Sequence, residues 1–252
     1  LNVISDVHAR IDALADAGKN ADALICLGDL LLYTDYEDPG NGIMGSLFGA
    51  ELNTEFIRLR TANRFDEARA VAMKKWDELG NREELINGEF QKQYEQIFSA
   101  MPTPTYITYG NVDRPEFWPN FKKEGMTVLD GQVIEIGGLK FGFVGGGLKT
   151  PYRTPYEITD EEFQKNVDAL GPVDVLCSHI PPAIADITFD VVARRFERGS
   201  IALLEYIKKY QPKYSLFGHV HQPLANRTRV GKTECINVGH FRATKRPFVL
   251  DL

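Results

Sequence analysis

The sequence predicts an α/β sandwich, and three features lead there. Short β-branched and aromatic runs read as buried parallel strands: Leu1–Ile4, Ala23–Leu27, Tyr106–Tyr109, Val173–Cys177 and Tyr214–Phe217. Helical patterns lie between them. A second set of runs, Gln132–Ile136, Lys140–Val144, Glu234–Asn237 and Phe248–Leu250, reads as a more antiparallel sheet. With 252 residues, 43% of them apolar, the chain can bury a sizeable core in one domain, residues 1–252.

Taken in order, the first strand runs into Ser5-Asp6-Val7-His8 and the second into Gly28-Asp29. Residues 35–101 then carry almost no strand signal. Met44, Phe48, Leu52, Phe56 and Leu59 repeat at helical spacing, as do Phe65, Ala68, Ala72, Trp76 and Leu79, and Ile86, Phe90, Tyr94, Ile97 and Met101. Asn81 followed by Glu84 marks a helix start. This segment reads as an insertion of two or three helices. The third strand ends in Gly110-Asn111-Val112-Asp113. Gly137-Gly138 sits at a hairpin turn. Thr159-Asp160-Glu161-Glu162 is a capping box opening a helix through about Leu170. The fourth strand ends in Ser178-His179, Gly199-Ser200 opens a helix through Lys209, and the fifth strand ends in Gly218-His219-Val220-His221.

Composition narrows the function. Acids outnumber bases 35 to 29, a net charge of −6, which argues against a broad surface for long nucleic acid or acidic membrane. No run approaches the ~18–20 apolar residues of a membrane span. The three cysteines, Cys26, Cys177 and Cys235, are widely spaced and read as buried thiols of a reducing compartment. A cytoplasmic location is expected on that ground, with the condition that the chain starts at Leu1 rather than methionine.

The strand ends carry the chemistry. Five strands finish in Asp, Asn or His, and the carboxyl ends of a parallel sheet share one edge where ligands bind. Asp6, His8, Asp29, Asn111, His179, His219 and His221 are thereby delivered to one place. Asp6 and His8, and likewise His219 and His221, are two residues apart and would face the same way in extended chain. Imidazole with carboxylate suits Mn, Fe, Zn or Ni. Seven donors exceed the needs of one tetrahedral ion and suit two ions ~3.5–4 Å apart. Asp35, Glu37 and Asp38 read as an acidic, solvated loop.

In this order, Asp6-x-His8, Gly28-Asp29, Gly110-Asn111-x-Asp113, His179 and Gly218-His219-x-His221 resemble the motif set of the calcineurin-like metallophosphoesterases. The resemblance spans both ends of the chain but not the 35–101 insertion. It implies a four-layer α/β/β/α sandwich of two mixed sheets flanked by helices, with two divalent metal ions as cofactor. It further implies that Asp6, His8, Asp29 and His221 hold one ion, and Asp29, Asn111, His179 and His219 the other. Such a pair would lower the pKa of a bridging water, making a nucleophile for phosphoester hydrolysis.

One position departs from the pattern. Many relatives carry His where this chain has Val112, and that His assists the leaving oxygen. General acid help is worth about 10²–10⁴-fold, so small esters with acidic leaving groups are expected, and relatives that also replace this His often look like phosphodiesterases, which implies that activity here. Asp113 would ordinarily orient the missing His. Here it either pairs with a cation such as Arg114 or caps the following turn. His240 is the candidate to supply the missing proton, against a reading as a plain core-edge histidine. The competing functions are a non-catalytic scaffold on the same fold, a nuclease and a phosphomonoesterase. The insertion reads as a lid that sets substrate choice, as the surface of a homo-oligomer, or as plain surface decoration.

Overall fold

The computed structural model describes all 252 residues. Its strands are β1 (Asn2–Ile4), β2 (Leu24–Cys26), β3 (Thr105–Ile107), β4 (Met126–Val128), β5 (Gln132–Ile136), β6 (Leu139–Val144), β7 (Gly147–Leu148), β8 (Glu157–Ile158), β9 (Val175–Ser178), β10 (Phe189–Asp190), β11 (Arg195–Phe196), β12 (Tyr214–Phe217), β13 (Arg227–Val230), β14 (Thr233–Asn237) and β15 (Phe248–Val249). The helices are α1 (Ile11–Leu14), α2 (Gly42–Phe48), α3 (Ala50–Thr61), α4 (Phe65–Leu79), α5 (Arg82–Ala100), α6 (Asp160–Asp168), α7 (Ala185–Thr188), α8 (Ile201–Tyr210) and α9 (Phe241–Thr244).

Two sheets divide the five donor-bearing strands. The first has the order β15-β1-β2-β3-β4, parallel except for β15 at its edge. The second has the order β13-β14-β12-β9-β6-β5, parallel through its four inner strands with an antiparallel strand on each edge. β6 and β14 therefore sit among the parallel strands, and β15 joins the first sheet. This corrects the expected split into one parallel and one more antiparallel set. Apolar runs this short carry no record of which neighbour they pair with.

Side-chain alternation builds the layers. Val3, Ile25 and Leu27 face the second sheet and pack with Phe141, Phe143, Val175, Cys177 and Leu216. Ile4, Leu24, Cys26 and Ile107 face the other way, onto Leu14 of α1 and Phe90, Tyr94, Ile97 and Phe98 of α5. Across the molecule, Val144, Leu176 and Phe217 pack on Phe163 and Val167 of α6 and on Leu203 and Ile207 of α8. The result is a helix–sheet–sheet–helix stack. The Thr159 capping box is present and opens α6, and Ser200 caps α8 through the N–H of Leu203.

Between β2 and β3 stand four helices, not two or three. The repeat from Met44 to Leu59 runs unbroken in sequence, but Gly49, at φ 80°, separates α2 from α3. α5 is part of the outer layer of the stack. α2 and α4 share a smaller cluster of Met44, Phe48, Ala72 and Trp76. No helix is long and apolar enough to cross a membrane.

Candidate metal centre

Local backbone sets the donors. Beyond β1 the chain does not continue extended: Asp6 has φ 57° and His8 φ 41°, and Asp29 and His219 are also left-handed at 55° and 68°. Non-glycine residues rarely adopt this region, and it concentrates at functional sites. The expectation that extended chain aligns Asp6 with His8 is thus corrected, because tight turns aim them instead. Two glycines make room. A Cβ on Gly110 would lie 2.0 Å from the Asp29 carboxylate, and one on Gly218 2.0 Å from the Ser5 hydroxyl and 2.4 Å from the Asp6 carboxylate.

The seven donors fall into two groups that share Asp29. In one, His221 Nε2 lies 3.5 Å from Asp6 Oδ1, and His8 Nε2 lies 3.4 Å from His221 Nε2 and 3.9 Å from both Asp6 Oδ1 and Asp29 Oδ2. In the other, His179 Nε2 lies 3.4 Å from Asp29 Oδ2, 2.9 Å from Asn111 Oδ1 and 3.3 Å from His219 Nδ1. His219 Nδ1 is 3.0 Å from Asn111 Oδ1. Asp29 Oδ2 thus faces both groups, while Oδ1 accepts the N–H of Val112 at 3.0 Å. His219 and His221, two residues apart, serve different groups.

Proton accounting tests whether these residues suit cations. His8 and His179 each place Nδ1 2.9 Å from a backbone carbonyl, of Leu31 and Leu27, so each Nδ1 carries the proton and each Nε2 presents a lone pair. Asn111 donates its amide to Thr154 Oγ1, which turns Oδ1 inward. With the rings neutral, as metal binding requires, lone pairs converge on lone pairs, His179 Nε2 on Asn111 Oδ1. Asp6 Oδ1 is buried with no hydrogen-bond partner at all. A divalent cation in each group would satisfy these atoms, and a carbonyl on the far imidazole nitrogen is the usual outer support of a metal-binding histidine. Burial would lower the pKa of His179, but the carboxylates of Asp29 and Asp6 together outweigh it and raise it to about 9, so without a cation the ring also holds a proton on Nε2, which a bound ion would displace.

Asp113 is fully buried and does not pair with Arg114, whose guanidinium goes to Glu116. Its carboxylate accepts three backbone N–H groups, from Asp29 and Gly110 on Oδ2 and from Leu30 on Oδ1, at 2.8–2.9 Å. It ties the loops after β2 and β3 together at the shared ligand. Burial, then the neighbouring Asp29 charge, pushes its pKa up to about 7. His240 stacks on His221 with ring centroids 3.7 Å apart and has neither ring nitrogen hydrogen-bonded. Burial and the two neighbouring imidazoles, His221 and His8, push its pKa down to about 3, so the ring is neutral.

Some supporting residues carry no sequence signal. Asp35, read as solvated, is buried, accepts the N–H groups of Glu37 and Asp38, and pairs with Arg242, which also donates to the carbonyl of His8. Thr154 passes the Asn111 contact on to Glu157. The centre opens into a cavity of about 1350 Å³ that runs beneath α3 and α4 and is closed on the far side by the loop around Tyr152.

The family model for calcineurin-like phosphoesterases matches residues 1–223, and the chain belongs to that family, whose members are metal-dependent phosphoesterases. An uncharacterized protein of Methanocaldococcus jannaschii is 27% identical over 135 residues, 51% of this chain and 60% of that protein's length. A crystal structure covering 95% of this chain and 90% of its own is 19% identical with a TM-score of 0.55, a likeness of fold. A Staphylococcus aureus protein assigned as a 5′-nucleotidase is 12% identical, with a TM-score of 0.48 over 94% of this chain and 48% of its own.

Proposed function

We propose that this chain is a phosphodiesterase using two divalent metal ions, of Mn, Fe, Zn or Ni type, on small phosphoesters with acidic leaving groups. The observation that supports it most is the pair of donor groups sharing Asp29 Oδ2, with imidazole nitrogen and carboxylate or amide oxygen atoms pointing inward in each. Asp6, His8, Asp29 and His221 would hold one ion, and Asp29, Asn111, His179 and His219 the other. When bound, the ions supply a nucleophile at neutral pH and charge stabilisation for in-line displacement.

The protein's own groups divide the remaining work. Asp113 positions Asp29 and the Asn111 loop through its three N–H bonds. Val112 contributes its backbone N–H to Asp29 and nothing from its side chain to a proton transfer. His240 lines the cavity beside His221 with free ring nitrogens. Its neutral N–H is the donor the chain offers to a leaving oxygen in place of the missing histidine. The segment 35–101 roofs the cavity and governs which esters enter.

The test compares an aryl phosphodiester with an alkyl phosphomonoester after loading with Mn²⁺ or Ni²⁺, with a chelated control. Faster turnover of the diester, abolished by chelation, supports the reading. A clear monoester preference, or turnover indifferent to metal, overturns it. Replacing His240→Ala should slow esters with poor leaving groups more than those with good ones.

A further inference from the structure

The cationic residues of the chain are sorted by type. Nine of the fifteen arginines line the cavity above the donor groups, and none of the fourteen lysines does. Charge alone would not discriminate between them. A planar guanidinium differs in presenting a fixed fork of donors that matches phosphate oxygens in pairs, and in lying flat against rings. Both properties are in use here: Arg60 lies over Tyr152 and Phe56, Arg82 over Trp76, and Arg195 over Tyr152.

Most of these guanidiniums are already neutralised. Arg114 pairs with Glu116, Arg195 with Glu197, Arg198 with Asp160 and Arg242 with Asp35. Of all the arginines that are not exposed, Arg60 alone has no carboxylate within 4 Å, and its guanidinium makes no hydrogen bond. It is partly buried on α3, held between the Phe56 ring at 5.3 Å and the Tyr152 ring at 4.6 Å. Arg195 bears on the same Tyr152 ring at 5.0 Å, and Phe65 meets it edge-on. A cation drawn partly out of water with unspent donors favours an anion arriving from the cavity. At about 1350 Å³ the cavity exceeds the ~300–1,000 Å³ of ordinary ligand sites, so a phosphoester at the donor groups leaves room for a second anion beneath the roof.

We propose that the substrate carries a second phosphate besides the ester that is cleaved, and that Arg60, held flat between Phe56 and Tyr152 in the roof, binds it. The proposal rests on the phosphoesterase reading and narrows it to small molecules with two phosphates. Long nucleic acid is not of this class, since the roof closes onto the Tyr152 loop. The second phosphate could belong to a nucleotide or to a polyol, and the experiment separates these sources.

Two matched pairs provide the test: the dinucleotide pApA against ApA, and glycerophosphoglycerol phosphate against glycerophosphoglycerol. Each pair differs only by the terminal phosphate. Calorimetric titration of chelated, metal-free protein reads binding, and Mn²⁺-loaded turnover reads kcat/KM. One charge-assisted, two-pronged contact predicts at least a tenfold advantage for the phosphate-bearing member of one pair, and the pair showing it identifies the source. Arg60→Gln should erase that advantage, and Arg60→Lys should keep only part of it. An equal response to both members in wild type, or an advantage that survives Arg60→Gln, overturns the proposal. The phosphoesterase reading fails separately, if loaded wild type turns over neither pair nor an aryl diester, and the metal-free binding arm still decides the role of Arg60.

Discussion

Removing the Asp113 carboxylate should loosen the fold and the metal groups together. The side chain is fully buried and accepts N–H groups from Asp29, Leu30 and Gly110. In Asp113→Ala three donors lose their acceptor away from water, at about 1–3 kcal/mol each. Against this stands the relief of no longer burying a carboxylate, whose cost is visible in a pKa pushed up to about 7. Taking about 2 kcal/mol for each bond and subtracting a relief of about 4 kcal/mol, the free-energy equivalent of that pKa rise at ~1.4 kcal/mol per pH unit, leaves a net loss of about 2 kcal/mol, a sizeable part of the ~5–15 kcal/mol stability of a typical domain. Asp113→Asn keeps the shape but turns an NH₂ toward at least one N–H, so it should fall between Ala and wild type. Urea unfolding of chelated protein measures the loss, and competition with a metal-binding dye measures affinity, expected to drop about tenfold or more because Asp29 and Asn111 lose their brace. If Asp113→Ala unfolds within about 0.5 kcal/mol of wild type and binds metal equally well, the clamp is not what orders these loops.

Three further outcomes are expected. Thr154→Val removes the acceptor that turns Asn111 inward, and should weaken Mn²⁺ binding about tenfold in a dye competition while leaving metal-free stability within ~1 kcal/mol. Burial alone would raise the pKa of Asp35, but the N–H groups of Glu37 and Asp38, then Arg242, outweigh it and hold it low. Its contribution to stability is therefore present above the ordinary carboxylate value near ~4 and is lost as the pH falls through the folded value. Asp35→Asn should accordingly destabilise at pH 7 and cost progressively less as the pH is lowered below ~4, as read by urea midpoints across a pH series. Val112→His restores an imidazole without touching the backbone N–H that serves Asp29, and should speed an alkyl ester about 10²-fold more than an aryl ester in parallel rate assays.

The donor set was readable because each member follows a strand-like run directly: Asp29 after Ala23–Leu27, Asn111 after Tyr106–Tyr109, His179 after Val173–Cys177. The helix starts at Thr159 and Ser200 were readable because a side-chain cap is a local event. What did not show is long-range or conformational. The pairing of β12 with β14 and of β1 with β15 depends on the twist and packing of whole sheets. The left-handed turns at Asp6 and His8 occur at residue types that carry no glycine signal. Asp35 looked solvated because its partner Arg242 lies 207 positions away. Gly49 divides a helical repeat whose apolar spacing runs on across it. Arg60 reads as one charge among many until the Tyr152 ring, from a distant loop, closes over it.

The group formed by Asp6, His8, Asp29 and His221 draws one pocket from stretches of chain as far apart as the 213 positions between His8 and His221, and β15 pairs back onto β1. Closing so long a loop comes late in folding, since its entropy must be lost before the contact repays it. A ribosome-bound chain short of position 221 has one half of the pair and not the other. An ion held by Asp6, His8, Asp29 and His221 would therefore act as a late latch, closing only once the loop after β12 has docked beside the loop after β1.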